Sequence, residues 1–308
     1  MRFDTGGNPI WTREFGTAGS ERAASISIGA AGVDVTGFDS SNGVFLTTIS
    51  KASPPVTDPR PRILWECVLN AASTLGGGVA PGEIVTVLGS GIGPSTLARL
   101  QVTSDGRIPT SLAGARILFD GKAAPLIYVS EKQSSAIVPF DIAGKASVNV
   151  QVEYNGVVSS AVNLPVFESR LGIFSFGPSG GGQAAVVNED GTINTPANPA
   201  RCGSVVSIYA TGGGLTQPAG ADDLITGDGA TTLNSSAYVR LVSDGSDDEV
   251  PYFAAQVLYY GSAPRSVPGL VQINARLPDS VPPGDAVALY VGFLPASRIE
   301  QVVTIAIR

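Results

Sequence analysis

The 308-residue sequence has no histidine, one methionine, two cysteines and four lysines. Without histidine there can be no Ser-His-Asp or Cys-His nucleophile pair, no imidazole base, and none of the His-containing zinc sites that most hydrolytic metalloenzymes need. Charge is sparse: 15% of residues are charged, and 19 Lys+Arg against 26 Asp+Glu leave a net charge of -7. The scattered Lys51, Lys122, Lys132 and Lys145 build no basic face, which argues against nucleic acid as a partner. No run approaches the eighteen or so apolar residues of a membrane span, and the opening Met1-Arg-Phe-Asp-Thr-Gly-Gly-Asn8 has no apolar core of a signal peptide. Low lysine and abundant Ser, Thr and Gly nevertheless point to an extracellular or cell-surface setting. The chain is therefore expected to be the tail of a longer exported protein.

Glycine and proline are plentiful, at 38 and 22 residues, beside 43% hydrophobic residues. That balance describes a packed, turn-rich protein and not a disordered one. Short β-branched runs recur about every ten residues, as in Glu83–Gly89, Ala115–Phe119, Ser147–Tyr154, Ser204–Ala210, Ala286–Val291 and Gln301–Ile307, which is the pattern of an all-β sandwich or barrel. Asp120-Gly121, Asn155-Gly156, Asp190-Gly191 and Asp244-Gly245 supply tight-turn chemistry between them. Only Ser95–Arg99 offers a helical turn. Residues 51–62 carry four prolines and no strand pattern, so they read as a stiff linker.

Beyond the linker the chain repeats itself. Pro81–Gly93 matches Cys202–Gly214, Arg116–Gly121 matches Arg240–Gly245, Ala123–Tyr128 matches Ala254–Tyr259, Ala136–Pro139 matches Ala275–Pro278, and Val162–Val166 matches Val303–Ile307, at spacings that grow from 121 to 141 positions. The growth predicts the same strands with longer loops in the second copy, chiefly at 245–254 and 260–275. Each copy has the length of an immunoglobulin-like sandwich. The expected layout is a blade at 1–50, a linker at 51–62, a first sandwich at 63–168 and a second at 169–308.

Taken in order, Val68-Leu-Asn-Ala-Ala-Ser73, Val79–Val85, Gly89–Gly93, Ala124–Ser130, Gln183–Asn188, Asn198-Pro-Ala200, Tyr209–Gly214, Gln272–Pro278 and the closing Val303–Arg308 resemble an uncharacterised C-terminal domain family of large exported acidobacterial proteins. The Pro81–Gly91 strand is also similar to the opening of immunoglobulin-like IPT/TIG modules. Residues 3–17, 24–28, 32–38 and 44–50 resemble one repeat of the bacterial seven-bladed β-propeller family, which implies a single four-stranded blade and further blades upstream in the full-length protein. The family has no established activity, so the resemblance implies no catalytic residues and no cofactor.

Chemistry-bearing residues are few. Cys67 and Cys202 lie 135 positions apart in no metal-binding spacing; they are either two buried small hydrophobes or a disulfide tying the entrances of the two copies. Asp244, Asp247, Asp248 and Glu249, with Asp222, Asp223 and Asp228, are weak calcium candidates whose spacing is not that of an EF-hand. Glu189-Asp190-Gly191 reads as a turn, and the triple-glycine runs at 76–78, 180–182 and 212–214 lack the Lys-Ser/Thr of a phosphate loop. No carboxylate pair is nominated for glycoside hydrolysis. Among Trp65, Tyr252, Phe253, Tyr259 and Tyr260, the pair Tyr252 and Phe253 is the best candidate for glycan contact. The expectation is a non-catalytic structural or adhesive module facing a protein or glycan surface, with a carbohydrate-binding module as the alternative.

Overall fold

The computed structural model describes backbone strands within residues 2–50 and complete residues over 60–177, 179–229, 231–234, 236–242, 252–292 and 301–308, with backbone alone at 293–294. The chain divides into two compact units, Met1–Asp58 and Pro59–Arg308. In the first, β1 (Glu21–Gly29), β2 (Gly32–Asp39) and β3 (Gly43–Ser50) form an antiparallel three-stranded meander. Among the described residues no fourth strand joins this sheet, and Pro9–Trp11 pairs with Arg2–Phe3.

The second unit holds both copies of the repeat. Its first module is a sandwich. One sheet contains β4 (Val68–Asn70), β5 (Ile84–Leu88), β8 (Gln133–Ile137) and β7 (Leu126–Val129), edged by Ala98–Arg99 where a helical turn was expected. The other contains β6 (Ala115–Phe119), β9 (Ser147–Tyr154) and β10 (Val162–Pro165). Alternation sends Val85, Val87, Leu126 and Ala136 of one sheet against Ile117, Phe119, Val150, Val152 and Leu164 of the other. The turns follow their sequence signals: Asp120-Gly121 and Asn155-Gly156 both take positive φ at both residues.

In the second module, β12 (Val205–Thr211), β15 (Val271–Arg276) and β14 (Phe253–Ser262) pair in the order of β5, β8 and β7. Likewise β13 (Ser236–Val242), β16 (Gly284–Leu294) and β17 (Val303–Ile307) pair in the order of β6, β9 and β10, and the short β11 (Gly172–Ile173) adds to β12. The duplication extends to a register slip, between Leu126 and Tyr128 in one copy and between Val257 and Tyr259 in the other. One residue separates the copies' architectures. Pro125 has no N–H to give a ladder, so Lys122–Ala123 and β7 are separate strands. Its counterpart Gln256 lets β14 run for ten residues and pair with both β15 and β13, so that the two faces become one continuous sheet. Residues 182–187 bridge that sheet's ends, pairing with Val303 and Thr304 on one side and with Ser207 and Ile208 on the other.

Candidate functional site

The most constrained chemistry lies in the seam between the modules. Glu83 enters β5 with its side chain wholly buried. Its carboxylate accepts hydrogen bonds from Asn70 Nδ2 at 2.8 Å and from the Ala80 N–H at 2.7 Å, and faces the Arg170 guanidinium at 3.5 Å. Arg170, from the connection between the modules, also donates to the carbonyls of Gly76 and Gly78, while its own carbonyl accepts from Asn70 Nδ2. Burial pushes the Glu83 carboxyl up to about 7, against the opposing pull of Arg170, the Ala80 N–H and Asn70.

Other contacts weld the same seam. Thr211, at the end of β12, accepts from the Ile84 N–H and donates to the Gly269 carbonyl. Arg107 and Leu224 form an antiparallel bridge, flanked by hydrogen bonds from Ile108 N–H to Asp223 and from Ile225 N–H to Gly106. Ile84, Ile108 and Ile137 of the first module pack with Phe174, Ile225, Val267 and Leu270 of the second. Gly212 and Gly269 sit at φ of 80° and 83°, where a side chain would strike the backbone at Arg170 and Gly82 respectively. The 260–275 loop, singled out by the growing repeat spacing, supplies Val267, Gly269 and Leu270 to this seam.

The two cysteines are free. Cys67 lies three residues before the seam residue Asn70, whereas Cys202 lies beyond the far end of β12, whose Thr211 end is at the seam. A seven-residue strand spans about 20 Å, far beyond the roughly 7 Å that a disulfide allows between Cα atoms. The candidate bridge between module entrances is thus corrected. Cys67 is buried, which raises its thiol pKa, and half-buried Cys202 lies 3.4 Å from the Val281 carbonyl. Thiol titration without reductant is expected to find two thiols on unfolding, with Cys202 reacting first in the native protein.

Asp244, Asp247, Asp248 and Glu249 lie outside the described residues. Asp222 instead pairs with Lys122 and accepts from the Phe140 N–H, Asp223 pairs with Arg107, and Asp228 pairs with Arg265. These three acids serve ion pairs, and no group of three potential metal ligands occurs among the described residues. Asp190-Gly191 is a turn closed by Thr192.

The aromatic candidates separate by face. Phe253 and Tyr260 pack against the second core, and the Tyr259 hydroxyl donates to the Thr231 or Ser262 carbonyl. Phe253 is therefore corrected from a glycan contact to a core residue, because period-2 alternation turns it inward. Tyr252 is 54% exposed and Trp65 49%. Missed in the sequence was Arg240, whose guanidinium sits between the rings of Tyr238 and Tyr252, 5.1 and 5.2 Å from their centroids. Arg240 is paired across the sheet with Ala254, and Gln256 with Arg276, on the outward face. Beside them lies an open cleft of about 380 Å³ lined by Ala254, Gln256, Arg276, Pro278 and Asp279.

No helix among the described residues is long and apolar enough to cross a membrane. No protein-family model and no curated protein matches the chain. Among solved structures it is similar to the endo-fucoidan hydrolase MfFcnA4 of glycoside hydrolase family 107, at 12% identity and a TM-score of 0.19, covering 95% of this chain and 34% of that one. It is also similar to domains 4–9 of the surface layer protein SbsC, at 13% identity and a TM-score of 0.22, covering 98% of this chain and 42% of that one. The chain thus spans well under half of either structure, and scores of this size carry no argument about fold or activity.

Proposed function

We propose that the chain is a non-catalytic structural or adhesive module of an exported or cell-surface bacterial protein, in which two immunoglobulin-like modules act as one stiff spacer. The supporting observation is the seam: a buried carboxylate, a backbone bridge and an apolar cluster join the copies into one compact unit. Independent beads on a flexible tether would need none of these. Kinship with the acidobacterial C-terminal family, and with propeller repeats for residues 1–50, belongs to the same reading. Native digestion of the full chain by a broad-specificity protease is expected to leave one resistant fragment containing both modules. Early cleavage at 166–172, between β10 and β11, would remove the spacer reading. Surface labelling of intact cells with an antibody to the second module tests the location.

A second reading, glycan binding, is favoured by the Tyr238–Arg240–Tyr252 stack and the neighbouring cleft. Tyr252→Ala is the informative variant; Phe253→Ala would chiefly test folding.

A further inference from the structure

The outward face of the second module places an exposed aromatic ring and a cation on one open surface. Tyr252 lies over Arg240 at one end. At the other, Arg276 donates to the Gly203 carbonyl at 2.9 Å, and no described carboxylate forms an ion pair with it, although Asp279 lines the same cleft. Register fixes their separation. Arg240 stands opposite Ala254, and Gln256, two residues further along β14, stands opposite Arg276. Two strand spacings sideways and two residues along put about 12 Å between the Arg240 and Arg276 backbones, and Tyr252, four residues before Gln256, stands about 14 Å from Arg276, a gap that a short run of linked sugar rings would bridge.

We propose that this strip binds an acidic oligosaccharide, with the apolar face of one pyranose on Tyr252 and the carboxylate of a neighbouring uronic acid on Arg276. The inference deepens the glycan-binding reading and rests on it. A flat ring beside planar polar groups suits a ligand that presents C–H faces and hydroxyls together, and a deep apolar pocket is not required. The guanidinium fork matches a carboxylate in a two-point contact, which a neutral sugar cannot offer. Gln256 and Asp279 on the same cleft are placed for hydroxyl groups, the amide able to donate and accept and the carboxylate to accept. A net charge of -7 over the whole chain keeps polyanions from binding indiscriminately, so an acidic ligand must be selected by a local cation.

The test is calorimetric titration of the full chain with an oligogalacturonate pentamer, with cellopentaose as the neutral probe and oligoglutamate as the acidic, sugar-free one. Oligogalacturonate is expected to bind more tightly than either. Arg276→Gln should weaken it at least about tenfold while leaving cellopentaose unchanged, and Tyr252→Ala should weaken both sugars. Each variant's melting curve shows that it is folded. Equal binding of both sugars, untouched by Arg276→Gln, overturns the acidic assignment and leaves glycan binding standing. Oligoglutamate binding as tightly as oligogalacturonate overturns it as well, since charge alone would then suffice. If the folded protein binds no probe, the inference and the reading beneath it both fail. Oligogalacturonate binding that neither variant weakens places the site elsewhere and sinks the strip.

Discussion

Arg170→Ala is expected to destabilise the two-module unit by about 3–5 kcal/mol at pH 8, the range found when one partner of a buried ion pair is removed. Four interactions disappear at once: the guanidinium facing Glu83, the donors to the Gly76 and Gly78 carbonyls, and the guanidinium over the Phe167 ring, 5.7 Å from its centroid. What remains is a wholly buried carboxylate held by one amide and one backbone N–H. Arg170→Lys should fall between, because an ammonium keeps the charge but loses the fork that reaches two carbonyls as well. Urea unfolding monitored by tryptophan fluorescence and by circular dichroism would also show whether one transition becomes two. Loss of coincidence between the probes is expected, because the seam is what couples the modules. A change below about 0.5 kcal/mol, the level of ordinary surface substitutions, would show that the network does not hold the modules together.

The all-β class and several strand positions were legible in the sequence because alternation and Gly-rich turns are local signals, whereas the order of strands within each sheet is set by long-range pairing. The fusion of the second module's sheets was not anticipated: the aligned repeat carries Gln256 in place of Pro125, but only the structure shows what that exchange permits. The seam was half visible. The spacing between repeats grew across 260–275, which marked the loop that docks, while nothing local marked its target. Glu83 had one usable signal: it is charged at the mouth of an apolar strand, where its counterpart in the other copy is Ser204. Its partners Asn70 and Arg170 lie 13 and 87 positions away and meet it only through tertiary packing. For Tyr252 and Phe253 the sequence named a pair although adjacent strand positions face opposite ways, so only one could point outward. Arg240 escaped notice because Tyr252, the second ring of its stack, lies twelve positions away in the sequence.

The pH dependence of stability is expected to run opposite to ordinary acid denaturation over one interval. Glu83 holds its proton up to about pH 7 in the folded protein, against 4.5 as its ordinary value. Between these values the folded chain binds more protons than the unfolded chain, so the contribution is complete below about 4.5 and is lost as pH rises through about 7. The whole change is on the order of 3 kcal/mol. Asp105, Asp120 and Asp190 work in the other sense, since the Thr103 hydroxyl, Lys145 and the Thr192 hydroxyl respectively hold their carboxyls below the usual range. Their stabilisation is lost only as pH falls below about 4, so it does not mask the Glu83 slope. Cys67 lies above the interval, raised by burial from 9.0. With no histidine in the sequence, the interval also lacks the side chain that ordinarily dominates it. Urea unfolding from pH 5 to 8 should therefore show stability falling with pH, and Glu83→Gln should flatten that fall. A variant with the wild-type slope would assign it to another group. The cost of Arg170→Ala should be level below about pH 7, where both folded proteins hold the Glu83 proton, and should grow above it, because Arg170 stabilises the ionised carboxylate. A fall in wild-type stability that Glu83→Gln flattens, together with an Arg170→Ala cost that rises only above about pH 7, would place the titrating proton in the seam itself.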